Sequence, residues 1–148
     1  MPHFGLMNSE KLGPEESALQ RTRLHIRAAK RRLSQGKVSA GIATLFDALV
    51  HGMKWYLLSH EEKDESVDVQ NEDTYNGRVL FDILVRLKVL DDSFDYALFA
   101  SLTDDALQNN ISDCDYQAVT QEVETVMTKL GIMPFDEDML PAEDPATY

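Results

Sequence analysis

A chain of 148 residues with 43% apolar and 27% charged side chains is the length of one ordinary domain and can bury a sizeable core, which excludes bulk disorder. No apolar run reaches the roughly 18–20 residues of a membrane helix, because the longest candidate, positions 42–58, is interrupted by Asp47, His51 and Lys54. The net charge of −12 is divided unequally, +5 over residues 1–60 and −17 over residues 61–148, so one half of the molecule can neutralise the other or offer a charged surface to a partner.

Positions 1–13 have no hydrophobic period and read as a flexible lead-in. They also lack the charged-then-apolar order of a secretory leader, so cytoplasmic residence is the expectation. Gly13-Pro14-Glu15-Glu16 marks a helix start: proline suits a first turn whose N–H groups have no partner, and the two glutamates favour the positive end of the helix dipole. Leu19, Thr22, Ile26, Ala29 and Leu33 then recur at helical spacing as one narrow stripe, with Gly36 as the stop.

A second helix follows after a linker of about two residues, which forces an antiparallel hairpin. Val38, Ile42, Leu45, Leu49, Met53 and Tyr56 form its seam, widened by Phe46, Val50 and Leu57. Thr44, Asp47, His51 and Lys54 fall on the opposite, polar side. Positions 60–73 are a solvated loop, and a third helix is expected over 74–89. Ser93 is a candidate cap for a short helix carrying Phe94, Ala97, Leu98 and Leu102, and positions 104–113 read as polar loop.

The last helix starts after Ser112-Asp113, and its seam is Tyr116, Val119, Val123, Val126 and Leu130. Gly131 ends it, with Ile132 folding back onto the last turn. Positions 133–148 hold three prolines and five acids and read as an extended acidic tail. The expected fold is all-α: an antiparallel bundle of four main helices and one short one over 14–132, preceded by the lead-in and followed by the tail.

The first helix carries the main anomaly. Arg21, Arg23, Arg27, Lys30, Arg31, Arg32 and Lys37 are half of the fourteen basic residues, with no acid between them. Helical spacing puts Arg23, Arg27, Lys30 and Arg31 on one face, with like charges one turn apart, an arrangement costing a few tenths of a kcal/mol per pair unless an anion compensates. Those four residues are the candidate binding site. The anion is either the acidic half of the chain, through Asp136, Glu137, Asp138, Glu143 and Asp144, or a phosphate of nucleic acid. Phe135, Met139, Leu140 and Tyr148 would anchor the acidic segment if it docks.

Other chemistry is sparse. Asp47 and His51 lie one turn apart without a third ligand and read as a surface ion pair. His60 sits at a helix end, where a cation suits the dipole. The lone Cys114, flanked by Asp113 and Asp115, has neighbours that raise its pKa, and it offers no disulfide or thiolate cage. No phosphate-cradling glycine loop, nucleophile elbow or zinc spacing occurs, so no catalytic residue, cofactor or metal is expected.

Ala28-Ala29-Lys30-Arg31-Arg32-Leu33 followed by Gly36-Lys37-Val38-Ser39-Ala40-Gly41-Ile42-Ala43-Thr44-Leu45-Phe46-Asp47-Ala48-Leu49 resembles the opening hairpin of HEPN-type helical bundles. The resemblance covers positions 17–60. It implies a helical bundle, and in many members a ribonuclease or nucleotide-handling role that uses an arginine followed four to six residues later by a histidine. This chain departs from that motif: His25 follows Arg21 and Arg23 too closely, His51 has no arginine upstream in its helix, and His60 follows Lys54. The functional expectation is therefore a non-enzymatic bundle that binds a protein partner or itself, at the arginine face, near Trp55 or through the tail. The alternative is nucleic-acid or nucleotide binding through the arginine face.

Overall fold

The computed structural model of the protein describes residues 13–60, 77–109, 111 and 115–143. Among these residues the regular structure is entirely helical: α1 (Pro14–Ser34), α2 (Val38–Ser59), α3 (Gly77–Arg86), α4 (Tyr96–Gln108) and α5 (Tyr116–Lys129), then a single 3-10 turn at Glu137–Met139. None of these helices is long and apolar enough to cross a membrane.

Three helices end in the same way, for a backbone reason. After α1, Lys37 N–H bonds to Arg32 O and Gly36 N–H to Leu33 O, with Gly36 at φ +77°. After α5, Ile132 N–H bonds to Met127 O and Gly131 N–H to Thr128 O, with Gly131 at φ +80°. This is the Schellman closure, whose left-handed residue is most easily a glycine. The end of α3 repeats it with Lys88 at φ +64°. A lysine in that position gives no sequence signal, so α3 stops at Arg86, short of the expected 89. The expected start at Thr74 lies outside the described residues.

The caps of α4 and α5 also sit later than expected. Asp95, not Ser93, caps α4 by accepting from Leu98 N–H at 3.0 Å, and Asp115 caps α5 by accepting from Ala118 N–H at 3.1 Å. Ser93 is already engaged: its N–H and hydroxyl both donate to Asp91. From Asp95 the helix runs through the stretch expected to be loop, ending at Gln108, because Phe99, Thr103 and Ala106 supply a buried face across it. Helix α4 has thirteen residues, and ten residues of α3 are described.

Helix α2 is the hub, packing on α1, α3, α4 and α5. Ile42, Leu45, Ala48, Leu49 and Met53 are essentially inaccessible. Two glycines of α2 permit close approach. A Cβ on Gly41 would lie 2.6 Å from the Leu33 side chain, and one on Gly52 2.8 Å from Ile132 Cδ1 and 3.1 Å from Met127 Sδ. Rings from three helices and the α3–α4 connection fill the far side: Phe46 meets Tyr96 and Phe99, and Phe81 meets Phe94 and Tyr96, at centroid distances of 5.3–6.0 Å.

Helix α1 pairs with α2 in antiparallel sense, since His25 faces His51 while Arg32, two turns on, bonds Thr44 at 2.6 Å. The expected narrow stripe on α1 is too narrow: Leu24, His25 and Ala28 are buried as well as Thr22, Ile26, Ala29 and Leu33. The polar side of α2 does not face water either. Thr44 is buried, its hydroxyl bonded to Ala40 O, and His51 is half-buried against α1.

Candidate functional site

The helical period that places Arg23, Arg27 and Arg31 in one row along α1 also determines what they meet. Residues 132–143 cross this row. Arg23 donates from Nε and Nη2 to Ile132 O at 3.2 and 3.1 Å, and its guanidinium lies 5.4 Å from the centroid of the Phe135 ring. Arg27 donates from Nη2 to Pro141 O at 2.6 Å. Arg31 grips the Glu143 carboxylate with two prongs, Nε to Oε2 and Nη2 to Oε1, both 2.9 Å. Three guanidiniums one turn apart thus take acceptors from one segment, which passes through the 3-10 turn between Ile132 and Pro141.

The two ends of this row differ in charge chemistry. Arg31 and Glu143 are largely shielded, with side chains 15% and 8% exposed, so their attraction is weakly screened and the bidentate geometry is held. Arg23 meets a neutral carbonyl and a ring, and burial lowers its pKa. Arg27 Nε is buried and has no hydrogen-bond acceptor among the described residues. Lys30 stands apart: it is exposed and reaches Glu124 of α5 at 3.5 Å. The four residues singled out from the sequence therefore divide into a row of three arginines facing residues 132–143 and a lysine facing α5.

Of the acids in that segment, Glu143 is the one bonded to α1. Asp136, Glu137 and Asp138 are exposed, and Asp136 caps its own 3-10 turn by accepting from Asp138 N–H at 2.9 Å. The expected apolar anchors behave unequally. Phe135 and Leu140 are half-buried, but Met139 is 80% exposed and anchors nothing. Asp144 and Tyr148 lie outside the described residues. A groove of about 470 Å³ runs between the start of α1 and the 3-10 turn, with Leu19, Gln20, Arg23, Phe135 and Met139 among its walls.

A second polar cluster, unsuspected from the sequence, lies on the other flank of α1. The rings of His25 and His51 are 5.0 Å apart between centroids. His25 is 1% exposed and donates from Nδ1 to Arg21 O at 2.9 Å, which fixes its tautomer. Burial, then the neighbouring His25, pushes the His51 pKa down to about 4, against the opposing pull of Asp47. Burial likewise lowers His25 and raises Asp47. His51 is thus part of the α1–α2 interface, and Asp47 beside it is half-buried, not a fully exposed surface group. The available signal was a histidine on the flank of each helix of one hairpin.

Trp55 is half-buried, with Nε1 buried and lacking an acceptor among the described residues, and Tyr56 stacks on His60 at 4.0 Å. No group of three His, Cys, Asp or Glu side chains is gathered for a metal among the described residues, and Cys114 is not one of them. No family model, no curated protein and no solved structure matches this chain.

Proposed function

We propose that this chain is a non-enzymatic interaction protein, an antiparallel helical bundle that binds a protein partner or itself through the arginine face of α1. The observation that carries the reading is the row Arg23, Arg27 and Arg31, each donating to the same stretch of polypeptide, residues 132–143. A face that accepts a main-chain carbonyl, a ring and a carboxylate in sequence is chemically suited to peptide. A polyphosphate backbone would use the charges but not the Phe135 and Leu19 side of the groove, and the net charge of −12 opposes the approach of a polyanion.

The test is sedimentation velocity across a range of concentrations, together with affinity capture on the intact chain and on Arg27→Glu/Arg31→Glu. Self-association, or a partner held by the native chain and lost from the variant, is the expected result. A monomer without an arginine-dependent partner contradicts the reading. Salt-sensitive binding of a single-stranded RNA at low ionic strength would point to the nucleic-acid alternative.

A further inference from the structure

The three arginine contacts are not equally satisfied, and the deficiency has a definite chemical shape. Residues 132–143 give Arg31 a full carboxylate, but give Arg27 one carbonyl oxygen, on Nη2. Arg27 Nε stays buried without an acceptor among the described residues, and a buried unpaired donor carries a desolvation cost that an added acceptor removes. A guanidinium with two donors on one edge matches a carboxylate, not a lone carbonyl.

We propose that the arginine row of α1 is a docking groove for an extended acidic segment of a partner protein. In this scheme residues 133–143 are a resident occupant that such a segment displaces, while Ile132 stays in the core as part of the α5 closure. The inference rests on the interaction reading above and specifies the partner's chemistry. Arg27 and Arg31 are one turn apart, about 6 Å along the helix axis. In an extended chain residues i and i+2 are separated by roughly 6.5–7 Å. The preferred ligand therefore carries two carboxylates two residues apart, one for each arginine, where the resident segment offers Pro141 O and the Glu143 side chain. An aromatic residue upstream would take the place of Phe135 over Arg23.

Because the resident segment is tethered, it competes at an effective concentration in the millimolar range. A free peptide is thus excluded until the tether's grip on Arg31 is removed. The experiment uses the full chain, native and with Glu143→Lys, and two labelled synthetic peptides followed by fluorescence anisotropy. One peptide has the sequence of residues 133–143. The other is the same with Pro141→Glu, supplying the second carboxylate. Far-ultraviolet circular dichroism verifies the fold of each chain, and Arg31→Glu/Glu143→Lys serves as a second variant in which the reversed pair closes again.

The Glu143→Lys chain is expected to bind the Pro141→Glu peptide roughly tenfold tighter than the native-sequence peptide. The native chain and the reversed-pair variant should bind either peptide at least tenfold more weakly than Glu143→Lys does. Equal affinity for the two peptides, or no binding by the Glu143→Lys chain, overturns the proposal. Tighter binding of a uridine oligonucleotide than of either peptide also overturns it, since the face would then read charge alone. If the peptides fail while sedimentation still shows arginine-dependent self-association, the acidic-segment inference falls and the broader interaction reading stands.

Discussion

His25 and His51 face each other at 5.0 Å across the α1–α2 interface, one ring buried and the other half-buried. In the unfolded chain both take up a proton near pH 6.5, whereas in the folded chain burial lowers both, His51 to about 4. Their contribution is complete above about pH 6.5 and is lost as the pH falls toward 4, because the unfolded state then binds protons that the native state refuses. Asp47 works in the opposite sense: its raised pKa lets the native state take up a proton first, recovering some stability in acid. For His51 alone the loss between about pH 7.5 and about pH 5 amounts to roughly 2 kcal/mol. Urea midpoints at those two pH values should therefore separate more for the native chain than for His25→Gln/His51→Gln. Equal separations would show that the pair does not govern the acid response.

Gly52 is required by packing, not by conformation. Ala at this position would bring Cβ against Ile132 and Met127, both inaccessible to solvent. The intrinsic helix propensity of alanine favours the substitution by about 1 kcal/mol, so the two effects compete. Overpacking a filled core costs typically 1–3 kcal/mol, and because Ile132 and Met127 are fully buried, their side-chain ends can swing aside only by shifting other core groups. Gly52→Ala is predicted to lower the melting temperature, and an increase would mean that the α2–α5 contact yields.

Lys88 offers the converse. Its φ of +64° is the left-handed position of the α3 closure, where an L-residue costs roughly 1–2 kcal/mol relative to glycine. Lys88→Gly should raise stability by somewhat under 1 kcal/mol, after allowing for the greater freedom of glycine in the unfolded chain. Chemical denaturation reads this directly, and a destabilised variant would contradict the assigned backbone geometry.

How much could be read beforehand follows from the range of each interaction. The ends of α1 and α5 were legible because Gly36 and Gly131 are local signals for a local closure. The end of α3 is not legible, because Lys88 carries no such signal, and the cap of α4 is ambiguous in the sequence because Ser93 and Asp95 are both good caps and Asp91 decides between them. The arginine face was legible as a charge pattern. Its division into three arginines facing residues 132–143 and a lysine facing α5 was not, since it depends on where a segment more than a hundred residues away is laid down. The histidine pair is not legible in the sequence, because a polar flank on α2 reads as solvated until its neighbour on α1 is known.

The resident contact on which the interaction account depends comes down to Arg31 and Glu143. Their double-mutant cycle, with Arg31→Gln, Glu143→Gln and the pair measured by urea denaturation, isolates that contact from everything else the substitutions disturb. A shielded two-pronged ion pair predicts a coupling of about 1–3 kcal/mol that changes little between low and high salt. A coupling within a few tenths of a kcal/mol of zero, the value of an exposed and mobile pair, would show that residues 132–143 do not hold the arginine row in solution.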